Sequence, residues 1–214
     1  MISIIEQMQV FSKDKAKINL EQYATDAIAA VEMAFIAGFM HDDLRNNVVV
    51  DLGTGTGRLA IAGLYMGAKK AIGIEIDGDA IALARENAIL LDMEEKLELI
   101  LGKVENLSSL LRDQSLASNW DGITVLMNPP FGVHGKGADL GFLIAAMGLK
   151  GASVIYSYHL RGDKNREYLE GKITKNGWKL VELHEVNMVI PHVYPFHKKK
   201  RKEVEVDLYR ITPS

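Results

Sequence analysis

The stretch Asn128-Pro129-Pro130-Phe131 combines residue types that can hold a small planar group. Two consecutive prolines cannot continue a helix, and each pushes the residue before it toward an extended backbone. The apolar run Ile123-Thr124-Val125-Leu126-Met127 in front of them reads as a buried strand, so the four residues form a rigid elbow at its end. Open α/β sheets place ligands at the carboxyl ends of their strands. There the Asn128 side-chain oxygen and the Pro129 carbonyl can each accept one hydrogen of a planar NH₂ group, and Phe131 can stack on the attached ring. An amine of that kind is a poor nucleophile because its lone pair is delocalised into the ring. Gripping both hydrogens orients it and raises electron density on nitrogen as a new bond forms. Taken alone, the same four residues also suit a structural turn.

A second constellation supplies the other reactant. Val48-Val49-Val50 is a short β-branched run, the mark of a buried parallel strand. It leads into Asp51-Leu52-Gly53-Thr54-Gly55-Thr56-Gly57, and a helix is predicted from Arg58 to about Met66. Glycines at a strand-to-helix turn allow positive φ and close approach of a ligand. A dinucleotide site needs Gly-x-Gly-x-x-Gly, and the third glycine position here is Arg58. The spacing Gly53, Gly55, Gly57 instead resembles motif I of Rossmann-like methyltransferases. That resemblance implies that the loop cradles S-adenosylmethionine, with Gly53, Gly55 and Thr56 in contact and Asp51 holding the amino-acid end directly or through water. The next strand, Ala71 to Asp77, ends in Glu75, about twenty residues past the loop, where a carboxylate can accept both hydroxyls of a ribose. Asp77 reads as an N-cap of the helix Asp79–Leu91 and as a further donor-side acid. Backbone groups near Val104 are expected to meet the adenine, although Lys103 stands where donor-binding folds often carry an acid.

The elements that must position these residues follow from pattern. Thr25 is the predicted N-cap of a helix running to about Met40. Leu97–Leu101 reads as a third strand, Ala152–Ser157 as a fifth, Arg161 to about Asn176 as a helix and Trp178 to Ile190 as a strand. Asp139 is the predicted cap of a helix from Leu140 to Leu149. Glu203 to Tyr209 alternates cleanly and is expected to be an antiparallel strand with one face exposed. Residues 1–214 are expected to form a single domain whose first 45 residues are helical cover. With no cysteine, the chain suits a reducing compartment such as the cytoplasm. It has neither a predicted membrane span nor a leader peptide, and its histidines lack metal-ligand spacing.

The net charge is −3, so binding to nucleic acid would have to use a local patch. Such a patch exists in Tyr194-Pro195-Phe196-His197-Lys198-Lys199-Lys200-Arg201-Lys202. Cations for phosphates beside aromatic rings for unstacked bases are what looped RNA requires. A solvated loop and a localisation signal are the other readings of the run. His134 and Lys136, in the glycine-punctuated stretch after Gly132, are expected on the substrate side.

Taken together the motifs resemble the methyltransferase-like protein five family. The matching pieces are Leu20-Glu21-Gln22-Tyr23-x-Thr25, Asp51-Leu52-Gly53, Asn128 to Gly132, Lys136-Gly137-x-Asp139, Tyr156-Ser157-x-His159, Phe196 to Lys200 and Val204 to Leu208. The resemblance implies a Rossmann-like class I α/β fold with a mostly parallel seven-stranded sheet, one antiparallel strand and helices on both faces. It implies methyl transfer from S-adenosylmethionine to the N6 amine of an adenine in small-subunit ribosomal RNA. It places Gln22 and Thr25 around the donor, and eukaryotic members pair with a small zinc-binding activator subunit through a sheet edge. Thr54 and Thr56 stand where the family carries Cys. DNA adenine, a protein glutamine amide, or a non-catalytic role in ribosome assembly remain alternative readings. Neutralising Lys198, Lys199 and Lys200 together should weaken RNA binding and flatten its dependence on salt by about 2 in log–log slope. An unchanged slope in a titration across salt concentrations would return the run to a solvated loop.

Overall fold

The computed structural model describes residues 1–11, 17, 21, 24–111, 122–131, 137–191 and 201–214. In chain order these form α1 (Ile2–Glu6), α2 (Ala27–Phe35), β1 (Val48–Leu52), α3 (Arg58–Tyr65), β2 (Lys70–Glu75), α4 (Gly78–Leu90) and β3 (Leu97–Leu101). Then follow α5 (Leu107–Leu110), β4 (Ile123–Met127), α6 (Ala138–Met147), β5 (Ala152–Leu160), α7 (Asp163–Lys175), β6 (Trp178–Pro191) and β7 (Arg201–Pro213). No helix among the described residues is long and apolar enough to cross a membrane.

The seven strands lie in the order β3-β2-β1-β4-β5-β7-β6. The first five run parallel, and β7 runs antiparallel to both β5 and β6, giving the one reversed strand the resemblance implied. The continuous apolar runs of β1 and β4 are buried along their full lengths because helices cover both faces. Period-two alternation sends Val49 and Leu126 into a core shared with α1, α2 and α3. Val48, Val50, Val125 and Met127 point the other way, into a core shared with α6 and α7.

Three local expectations change. First, the exposed face of β7 stops short: Glu203 and Glu205 are exposed as expected, but Asp207 and Tyr209 are both 0% exposed. The strand is inserted between β5 and β6, and the Asp207 carboxylate is neutralised by Arg166 of α7 through two 2.7 Å hydrogen bonds. Alternation in sequence signals two different faces; here the polar face is covered at Asp207 by an ion pair. Second, α2 begins after Asp26, with no side-chain cap, and ends in a π-helical turn at Ile36–Met40, so Thr25 is not its N-cap. Third, α6 is preceded by Gly137 at φ +80°, and Asp139 lies inside the first turn, 3.5 Å from the buried His159 ring.

Gly73 of β2 holds the glycine loop by what it lacks. A Cβ there would sit 2.7 Å from Thr54 Cγ2 and 2.8 Å from Thr54 Oγ1. Gly73→Ala should therefore destabilise the protein by about 1–3 kcal/mol, as overpacking does. The check is a denaturant midpoint that falls with an unchanged m value.

Candidate active site

The strand order reverses between β1 and β4, and ligands of open α/β sheets sit at that reversal. Leu52, the last residue of β1, pairs with Met127, the last of β4. The glycine loop and the Asn-Pro-Pro-Phe elbow thus leave neighbouring strands at one level. Between them lies a cavity of about 270 Å³. One wall is Gly53, Gly55, Thr56, Glu75 and Val104; the other is Thr25, Asn128 and Pro130. Gly53, Gly55 and Gly57 have φ of +69°, +53° and +85°. A Cβ on Gly53 would fall 2.9 Å from the Phe142 ring, so that glycine is required twice over, by conformation and by space.

The three acids expected on the donor side take different positions. Glu75 lines the cavity. Its Oε1 accepts from the amides of Ile76 and Asp77, and its Oε2 accepts from Gly55 at 2.9 Å, which leaves Oε2 capacity for one more donor. Burial pushes its carboxyl above the usual range, and the Gly55, Asp77 and Ile76 amides oppose that shift. Asp77 caps α4 through the Asp79 amide and pairs with Lys17 at 2.5 Å, outside the cavity wall. Asp51 is 1% exposed and lies beneath the loop. Its Oδ2 accepts from Thr54 Oγ1 at 2.7 Å and from the Ala60 amide at 3.0 Å, while its Oδ1 is buried without a partner. Desolvation raises its pKa to about 7 against the pull of those two bonds.

On the elbow side, Asn128 Nδ2 donates to Thr25 Oγ1 at 3.2 Å, and its Oδ1 is a buried acceptor with no partner in the structure. Pro129 is buried, and Phe131 packs against the core shared with α1–α3, off the cavity wall. Gln22, His134, Lys136, Tyr194, Phe196, His197, Lys198, Lys199 and Lys200 lie outside the described residues.

Other residues complete the wall. Phe11 reaches it because Asn87, a fully buried side chain of α4, brackets Gln9. Asn87 Oδ1 accepts the Gln9 amide at 2.7 Å, and Nδ2 donates to Gln9 O at 3.0 Å and Thr56 O at 2.9 Å. Glu21, Lys103 and Phe142 also border the space. No local pattern marks Asn87 or Phe11, because each works across a long separation in the chain.

The cavity suits a nucleoside with a cationic tail. It offers a carboxylate at a strand end for a ribose hydroxyl, exposed loop backbone, apolar walls at Ile76 and Val104, and more acids than bases around it. Asn128, also on the lining, carries a buried side-chain oxygen without a partner, an acceptor left for the N–H of a second molecule.

Comparison with known proteins agrees with this geometry. The family model described as ribosomal protein L11 methyltransferase (PrmA) matches residues 27–123, which contain the glycine loop and Glu75 and stop short of Asn128. The Drosophila melanogaster protein named rRNA N(6)-adenosine-methyltransferase Mettl5 is 35% identical over 203 residues, covering 92% of this chain and 89% of its own. The Methanocaldococcus jannaschii protein MJ0284 is 38% identical over 198 residues, covering 91% of this chain and 85% of its own. The crystal structure of Pyrococcus horikoshii PH1948 superposes with a TM-score of 0.83 at 30% identity, covering 99% of this chain and 94% of that one.

The fold favours the neutral form of Asp51. Its contribution to stability is therefore full below the unfolded carboxyl's 3.8 and is lost as pH rises through about 7. Asp51→Asn should remove this slope and leave the variant more stable than the parent at pH 8, by up to a few kcal/mol. Chemical denaturation at a series of pH values tests it: the prediction fails if the variant keeps the parent's pH dependence.

Proposed function

The chain belongs to the METTL5 family of rRNA N6-adenosine methyltransferases, and we propose that it methylates the N6 amine of an adenosine in small-subunit ribosomal RNA. The methyl donor is S-adenosylmethionine. The observation that carries the reading is the buried, unpartnered Oδ1 of Asn128, which shares one cavity with the glycine loop.

Within this reading the chain's residues divide the work. The backbone of Gly53, Gly55 and Thr56 bounds the donor's tail, Glu75 Oε2 accepts one ribose hydroxyl beside the Gly55 amide, and the backbone at Val104 meets its adenine. Asp51 acts beneath the loop, fixing Thr54 and the first turn of α3, and Asp77 fixes the first turn of α4. Thr25 lines the cavity beside Asn128, and the family resemblance assigns Gln22 to the donor as well. Bound there, the donor supplies an electrophilic sulfonium methyl group. Asn128 Oδ1 and the Pro129 carbonyl each accept one hydrogen of the target amine, which aligns its lone pair. They also stabilise the positive charge that grows on nitrogen during transfer. No base is needed beforehand, because the amine proton becomes acidic only after the new bond forms. Catalysis is then chiefly positioning. The adenosine must leave its stack to enter, and Phe131 must turn from the core to stack on it.

His134, Lys136, Tyr194, Phe196, His197 and Lys198–Lys200 are assigned to RNA contact. We take the 214 residues as one methyltransferase domain acting in the cytoplasm. A small zinc-binding activator is a further expectation of the family resemblance. Its strand-pairing mode is supported by β3, an outer strand with Leu101 60% exposed beside Ile76 at 47%. The L11 methyltransferase match favours a second reading, a protein amine substrate, but it ends before the elbow and so bears only on the donor half.

Asn128→Ala should lower kcat by 10²-fold or more while changing donor affinity by less than about threefold. In parallel, mass-spectrometric mapping of total RNA with and without the protein should show one N6-methyladenosine in small-subunit ribosomal RNA that depends on it. Methylation of a ribosomal protein or of large-subunit RNA instead, or an active Asn128→Ala variant, would overturn the reading.

A further inference from the structure

We infer that Thr25 and Met188 set the orientation of the Asn128 amide, so that its oxygen, not its nitrogen, faces the amine to be methylated. The inference rests on the role of Asn128 given above and adds two positioning residues to it. An asparagine side chain is two-sided: one end accepts and the other donates two hydrogens. Turned over, it would present N–H to N–H of the substrate amine and repel it. Something in the protein must therefore choose.

The nitrogen side of Asn128 meets two groups. Thr25 Oγ1 lies 3.2 Å from Nδ2, and Met188 Sδ lies 3.9 Å from it. A hydroxyl alone could not decide the matter, because it accepts from Nδ2 or donates to an oxygen with equal ease. The thioether only accepts, and it is fully buried on β6. Turning the amide would set oxygen lone pairs against sulfur lone pairs and break the symmetry of the Thr25 contact. The Asn128 oxygen is thereby left pointing where no protein group meets it.

Thr25 is itself held from the donor side. Its carbonyl accepts from Arg58 Nη1 at 2.7 Å, and Arg58 is the first residue of α3 after the glycine loop, only 9% exposed. The chain of contacts Arg58–Thr25–Asn128 thus joins the loop that bounds the donor to the residue that grips the acceptor. Family resemblance assigns Thr25 to enclosing the donor, which would make its loss a defect in donor affinity. The orientation role makes its loss a defect in turnover.

The two roles separate in steady-state kinetics on an RNA substrate with the purified full chain, alongside calorimetric donor binding. Thr25→Val keeps the shape and removes the hydroxyl. It should lower kcat about tenfold or more with donor Kd changed less than about twofold. Thr25→Ser, which restores the oxygen, should recover kcat to within about threefold of the parent. Met188→Leu should give a smaller loss, and the double variant Thr25→Val/Met188→Leu a larger loss than either. The inference is overturned if Thr25→Val leaves kcat intact while Asn128→Ala is dead. It is equally overturned if donor affinity falls in step with kcat, or if Thr25→Ser fails to rescue a variant whose thermal unfolding matches the parent. An active Asn128→Ala variant would instead remove the functional reading on which the inference stands.

Discussion

The parallel pairing of β1 with β4 is the constraint on which the rest depends. Their register is unbroken from Val48–Ile123 to Leu52–Met127, so both strands end at the same height. Each is buried along its full length and covered on both faces, which leaves a one-residue slip no low-energy alternative: it would exchange the side chains of two distinct cores. Because the register is held this firmly, the glycine loop and the proline elbow leave the sheet a single strand spacing apart. A methyl donor and a planar amine need to meet within a few ångströms, and the sheet sets that distance before any side chain contributes.

Two buried oxygens of the site, those of Asn128 and Asp51, stand without a partner. Most buried polar groups of a folded chain are matched, and an unmatched one costs about 1–3 kcal/mol. Arg166 with Asp207, and Asn87 with Gln9 and Thr56, follow the rule. Asn128 Oδ1 and Asp51 Oδ1 break it, and they stand on either side of the reversal point. Asp51 shows what the exception costs: its buried carboxyl favours the protonated form up to about pH 7 although a hydroxyl and an amide serve the other oxygen. Near a bound cation the same carboxyl would be the stabilising partner. A group that is unfavourable in the empty fold and favourable in the complex directs interaction energy to binding; only interactions that strengthen further in the transition state raise the rate.

The fold was largely legible from residues 48 to 191 because its signals are local. The Val48–Val50 and Ile123–Met127 runs, the glycine spacing and the position of Glu75 each lie within one strand and its turn. The misreadings share a cause in long-range partners. Glu203 to Tyr209 alternates as a half-exposed strand does, yet Asp207 is buried because Arg166, 41 residues earlier, meets it. Thr25 has the composition of a helix cap, but Asn128, 103 residues later, takes its hydroxyl. Asn87 carries no mark at all, since its partners Gln9 and Thr56 are 78 and 31 residues away. Residue type and spacing pointed to the reactive groups; the residues that orient them became visible only in three dimensions.

That distinction changes the meaning of the segment before β1. By composition it is cover for the sheet. In the structure Phe11, Glu21 and Thr25 line the cavity, and the attachments that hold this segment, Asn87 to Gln9 and Arg58 to Thr25, come from α4 and the start of α3, the helices beside the glycine loop. Thr56 shares the Asn87 amide with Gln9, so the loop and the segment are parts of one hydrogen-bonded unit. A sheet with two loops could bring donor and amine together without it. What the segment adds is a fixed partner for the Asn128 nitrogen, which together with the Met188 thioether of β6 gives a defined polarity to the one side chain whose two ends have opposite effects on the substrate.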